Sequence, residues 1–148
     1  MHVRQLMLNL FSKNPSLFIR KKQNTAIVRM RSKDIYLFIK NYLIWNGKKY
    51  YSVHLKDKAS KYSKKFLKGF VRGLFDTDGS MNRNLPRAVF GTVSKLLSNN
   101  VEEILSLLNI NYTKNTVIDK RVNRKPLILI EIRRSNINKF FNTIKPAH

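Results

Sequence analysis

Two aspartates one residue apart and against a glycine, Asp76, Asp78 and Gly79 in "GFVRGLFDTDGSMN", are the residues of this chain best suited to chemistry. Carboxylates in that pattern can hold a hard divalent cation, accept a phosphoryl group as nucleophile, or support metal-assisted hydrolysis of a phosphodiester. A calcium loop counted from Asp76 requires glycine at its sixth position and glutamate at its twelfth. Met81 and Arg87 stand there, which excludes it. The chain has no cysteine, and its three histidines, His2, His54 and His148, are scattered, so any metal must be held by oxygen.

The partner of such a site is suggested by charge. Thirty Lys and Arg against eight Asp and Glu give a net charge of +22 over 148 residues, more than solubility requires. Residues 1–65 hold sixteen basic and two acidic side chains and residues 66–148 fourteen and six, so both halves are expected to meet the polyanion. Nucleic acid is the leading candidate and anionic lipid the alternative. No apolar run approaches the ~20 residues of a membrane span, and the N-terminus lacks the apolar core and cleavage site of a signal peptide. A soluble, intracellular protein is expected, in a prokaryotic cytoplasm or an organelle matrix. Sixteen asparagines and nineteen lysines point to an AT-rich genome.

The elements that must position the aspartates read as follows. From Tyr62, Phe66, Leu67, Phe70, Val71, Leu74 and Phe75 follow helical spacing, with Gly69 and Gly73 four apart. At about 100° per residue, apolar side chains and glycines cover roughly two thirds of the circumference, predicting a helix buried between neighbours. Glycine costs about 1 kcal/mol in a helix interior, so the pair predicts the close approach of a second backbone. After Gly79 come strands in "SMNRN" and "AVFGTVS", then a helix capped by Ser94. A second hairpin in "YTKNTVIDKR" and "KPLILIEIRR" and a helix in "NINKFFNTI" complete the order helix, two strands, helix, two strands, helix.

The first sixty residues repeat part of that pattern. Val3, Leu6 and Leu10 fall on Val101, Ile104 and Leu108, and Ile35, Phe38 and Ile39 on Ile137, Phe140 and Phe141, so that helix, hairpin and helix recur. The first copy lacks an opening helix and hairpin; by the spacing of the second, roughly 40 residues are expected before Met1.

On these residues two resemblances compete. "LFDTDGSM" resembles the first motif of haloacid-dehalogenase-like phosphatases, but those place it at the tip of a parallel strand before a doubly wound domain, whereas a helical, glycine-paired segment precedes it here. "FVRGLFDTDGS" resembles the signature helix of the LAGLIDADG homing endonucleases: Val71 to Gly79 lie against the nine letters of the name, and Gly73, Leu74, Asp76, Asp78 and Gly79 match. "TVSKLLSNNVEEILSLLNI" looks like the helix after that family's first hairpin. This second resemblance covers residues 62–148 as a full αββαββα half and 1–50 as a partial one. It implies an α+β fold with a saddle-shaped antiparallel sheet, residues 1–60 being a partial first repeat and linker and 61–148 a LAGLIDADG half-domain.

The resemblance also implies roles. Two signature helices pack through small residues, here Gly69 and Gly73, and each delivers an acid to the cleavage site, here Asp78. Asp78, with the backbone carbonyl of Thr77, is expected to bind two or three shared Mg²⁺ ions, while Asp76 serves the helix end. The sheet faces the major groove of double-stranded DNA, with Arg20, Lys22, Arg29, Arg31, Arg83, Arg87, Lys120, Arg121, Glu131 and Arg133 as candidate readers. Lys48 and Lys49 match the region of a basic residue near the scissile bond.

Two departures bear on activity. The chain has one acid of the two that double-strand cleavage needs. The second must come from a half preceding Met1 or from another chain. Gly91 stands where the family places a polar, water-ordering side chain, and Thr92 is a doubtful replacement. Two functions follow: a Mg²⁺-dependent homing endonuclease of introns or inteins, or a catalytically degenerate regulator or intron maturase that binds DNA or intron RNA.

Overall fold

The chain divides into two compact units, Met1–Asn41 and Tyr42–His148; the computed structural model describes residues 2–20, 25–82, 86–118, 125–133 and 135–146. In the first unit, α1 (His2–Phe11) stops where Ser12 takes a left-handed φ of 50°. An antiparallel hairpin follows, β1 (Ser16–Arg20) with β2 (Thr25–Arg29), pairing Leu17 with Val28 and Phe18 with Ile27. Ser32 caps α2 (Lys33–Lys40) by accepting the Ile35 amide at 3.4 Å, and Lys13 reaches both Ser32 (2.9 Å) and Asp34 (3.1 Å). The predicted helix, hairpin and helix are all present.

That unit carries little core. No residue of α2 is buried, and Phe38, Leu37 and Ile19 stand 54%, 51% and 68% exposed. Phe140, the repeat partner of Phe38, is fully buried against Phe75, with ring centroids 4.7 Å apart. Phe75 belongs to the signature helix, and among the described residues the first unit has no helix in that place.

The second unit opens with a short ribbon, β3 (Leu43–Ile44) against β4 (His54–Leu55), with the single turn α3 (Lys49–Ser52) between them and a 3₁₀ turn (Ala59–Lys61) after. Then come α4 (Lys64–Asp78), β5 (Gly79–Asn82), β6 (Arg87–Thr92), α5 (Lys95–Leu107), β7 (Thr113–Val117), β8 (Leu127–Arg133) and α6 (Ser135–Ile144). Ser63 and Ser94 cap α4 and α5 by accepting the amides of Phe66 and Leu97, each at 3.2 Å. Asn109 closes α5 with φ 53°, so that the Ile110 amide bonds back to the Leu105 carbonyl at 2.8 Å.

All four strands pair antiparallel in the order β5-β6-β8-β7. Alternation sends Ala88, Phe90, Ile130 and Ile132 to one face, where α4, α5 and α6 cover them, and leaves the other face open. Residues 43–60, expected as the end of the first repeat and its linker, are built into this unit. Ser94 donates to the Val53 carbonyl (2.9 Å), Asn100 accepts the Leu55 amide (2.8 Å), Glu103 accepts the Ala59 amide (3.1 Å), and Leu55 and Ala59 join the core. Among the described residues no helix is long and apolar enough to cross a membrane.

Helix α4 departs from expectation. It buries Leu67, Val71 and Phe75 on one side only. Burying a phenylalanine such as Phe75 stabilises by roughly 1.5–3 kcal/mol. On the other side Gly69 and Gly73 are exposed, and a Cβ at either would meet nothing within 4 Å among the described residues. The expected second backbone is not supplied by these residues, because none of their elements lies against that stripe.

Candidate functional site

The signature helix runs into the sheet without a linking residue. Gly79 is both the C-cap of α4 and the first residue of β5, and its amide bonds to the Phe75 carbonyl. A Cβ there would stand 2.4 Å from the Phe75 carbonyl oxygen and 2.7 Å from its Cα. Glycine is required by that steric contact, since its φ of −84° suits any residue. The junction places Asp78 at the point where helix becomes strand.

Its two carboxylates differ. Asp76 is half-shielded and paired with Arg72 at 3.5 Å, one turn earlier, which matches the expected local role. Asp78 is exposed, and among the described residues no hydrogen bond or ion pair engages it. A carboxylate at a helix C-terminus meets the negative end of the helix dipole, at a cost of about 0.3–1 kcal/mol, and the last turn of α4 has no basic residue to offset it. An acid with no partner among the described residues, held in that place, favours an incoming cation. The Thr77 hydroxyl donates its hydrogen back to the Gly73 carbonyl at 2.9 Å.

One carboxylate does not make a metal site. Among the described residues no three acidic or histidine groups gather around a point. The donor set fits one part of a site shared with a second element, and it does not fit a closed site within these residues.

The open face of the sheet is polar at one end and apolar at the other. Register puts Arg87 opposite Arg133, Val89 opposite Glu131, and Gly91 opposite Leu129. Glu131, expected as an exposed reader, is instead covered: its side chain is 7% exposed, hydrogen-bonded by Arg133 and joined to Arg87 Nη1 at 3.5 Å. The two arginines shield it above the sheet while remaining about half exposed themselves. The Arg133 hydrogen bond holds the Glu131 carboxyl below its ordinary range, against the opposing effect of burial, with both arginine charges adding to the lowering.

At the other end Leu127 and Leu129 lie over Gly91, 3.4 and 3.2 Å from the position of an added Cβ. Thr92 turns to the helix side and accepts the Ser94 amide at 3.1 Å, so neither residue presents a polar group on the open face. Asn115 and Val117 share that face through their pairing with Leu129 and Leu127. They were missed as candidates because only charged residues were counted; alternation outward from Glu131 was the available signal.

The remaining candidates are dispersed. In the first unit Arg29 stacks over Phe18 at 5.4 Å, and a cleft of about 490 Å³ gathers Arg29, Arg31 and Lys13. Arg20 is exposed at the end of β1. Lys48 is exposed ahead of α3, which packs on α5; Lys49 opens α3, and its side chain lies outside the described residues. Lys22, Arg83, Lys120 and Arg121 also lie outside the described residues.

Sheet, capped helices and the aspartate-glycine junction together define a class. The family model of the LAGLIDADG-like domain matches residues 65–145, more than half of the chain, and the chain belongs to that family. Its fold is that of solved structures of the homing endonuclease I-DmoI. Mesophilic variants of that enzyme are 19% identical at a TM-score of 0.67, over 99% of this chain and 72% of theirs. The complex of I-DmoI with DNA and Mn is 18% identical at 0.64, over 99% and 72%, and the complex with DNA and Ca gives 18% and 0.64 over 99% and 67%. No curated protein matches in sequence.

Proposed function

We propose that this chain is part of a homing-type endonuclease that binds duplex DNA in the major groove and cleaves it with a divalent cation. The observation that carries the reading is Asp78: an exposed acid without a partner among the described residues, at the end of a helix whose Gly69 and Gly73 stripe is bare. A second signature helix laid on that stripe would bring a second acid beside the first. The second helix comes from a segment preceding Met1 or from another chain.

In that assembly Asp78, with the Thr77 carbonyl, contributes ligands to a shared site, and Lys48 and Lys49 are the basic residues nearest in sequence pattern to a role at the scissile phosphate. Mg²⁺ bound there would supply an activated water and charge stabilisation. The I-DmoI complexes with DNA and Mn or Ca support duplex DNA and a divalent cation as partners. In the test, Asp78→Asn removes nicking of supercoiled DNA in Mg²⁺ or Mn²⁺ and leaves affinity within about twofold, because the lost group acts on the reaction more than on binding. Undiminished nicking by the variant would sink the assigned role.

A second reading keeps DNA or intron RNA binding without chemistry. The single available acid favours it. Binding by the unaltered chain, together with absence of nicking when a second half is supplied, would make it the better account.

A further inference from the structure

Arg87 and Arg133 face each other across adjacent antiparallel strands. Like charges directly opposite in a sheet destabilise it. Glu131 lies two residues from Arg133 on the same strand and diagonally from Arg87, and its covered carboxylate takes a hydrogen bond from Arg133 and meets one nitrogen of Arg87. Each guanidinium has five N–H donors in a fixed plane, and each arginine, about half exposed, keeps donors beyond those that meet Glu131 among the described residues. The arrangement is therefore two half-exposed, pre-oriented forks joined by one shielded acid.

A free arginine loses rotamer freedom when it docks on a base, and one already held by a carboxylate loses less. A guanidinium fork matches the O6 and N7 acceptors of guanine in the major groove. Neighbouring strands stand about 4.8 Å apart, wider than the roughly 3.4 Å rise between base pairs, a difference that two long, flexible arginine stems can take up. A directly reading glutamate, which would accept from cytosine, needs an open carboxylate; this one is covered.

We propose that Glu131 is a positioning residue that sets Arg87 and Arg133 as a matched pair of readers for two adjacent G·C pairs. The inference rests on the sheet facing duplex DNA. Its test is selection from a randomised duplex library by the full chain, at one fixed salt concentration, for the unaltered protein and for Arg87→Ala, Arg133→Ala and Glu131→Ala. The unaltered protein should enrich two neighbouring guanines. Each arginine variant should lose about 5- to 140-fold of the preference at one of them, the range expected of one bidentate contact. Glu131→Ala should weaken both together and leave preferences elsewhere in the site unchanged, which a merely unfolded sheet would not do. If Glu131→Ala does not fold, Glu131→Gln provides the same reading through loss of charge.

Arginine variants that weaken binding equally for all sequences would assign the pair to phosphates and overturn the proposal. So would a Glu131 variant with the unaltered base preference. Failure of the unaltered chain to retain any duplex would instead remove the DNA reading on which both proposals stand.

Discussion

A carboxylate joined to two guanidiniums gives this protein a pH dependence of known sign. The folded state holds Glu131 below its ordinary value of 4.5, with the Arg133 hydrogen bond as the largest cause. The stabilisation is therefore fully present above that value and is lost as pH falls through the lower, folded one. Thermal melting from about pH 7 down to about pH 3 should show an acid limb that Glu131→Gln flattens; an unchanged limb would mean that the pair does not couple to folding. At the same scale the two aspartates separate by environment. Arg72 stands one helical turn before Asp76 and pairs with it, whereas Asp78 lies beyond that reach. The different roles of the two were expected from the family resemblance alone; the Arg72 pair was not, although i,i+4 spacing sets those two residues on one helix face. The covering of Glu131 was not legible either, since alternation assigns a face and says nothing about which neighbours fold over it.

The element that governs assembly is α4. Its buried stripe of Leu67, Val71 and Phe75 holds it to the sheet, and no described residue covers the glycine stripe opposite. Glycine at an exposed interior position of a helix costs roughly 0.5–1 kcal/mol relative to alanine, and a Cβ at Gly73 has room here. Gly73→Ala should therefore raise the stability of the chain alone by about that amount, read from urea unfolding at low protein concentration. If a second helix packs there, the same methyl should weaken association, read by sedimentation once a second half is supplied. A variant that stabilises the chain and leaves association intact would separate the glycines from any packing role. The helix and its end were readable because they depend on residues within a few positions. Which stripe stays bare depends on elements far away in the chain.

The whole molecule is a polycation of +22 with basic residues in both units. Duplex binding that neutralises 6–10 phosphates should weaken by about 10³–10⁵ between roughly 50 and 200 mM salt, with log affinity linear in log salt. Filter binding across that range checks it, and affinity flat with salt would remove the nucleic-acid reading. A steep slope unaffected by Glu131→Ala would further show that the sheet's acid acts on base choice and not on overall charge.

What the sequence determined by itself was local or compositional. The serine cap at 94, the order of elements from Tyr62 and the glycine at the helix-strand junction each follow from residues in immediate succession, where capping bonds and sterics act. Net charge needs no structure at all. The tertiary structure alone decided that residues 43–61 are sewn to α5, that Leu127 and Leu129 lie over Gly91, that Glu131 is shielded and that Gly69 and Gly73 face open space. Each of these is a statement about burial, and burial is set by which distant segments come to lie against a side chain, a property that no window of the sequence contains.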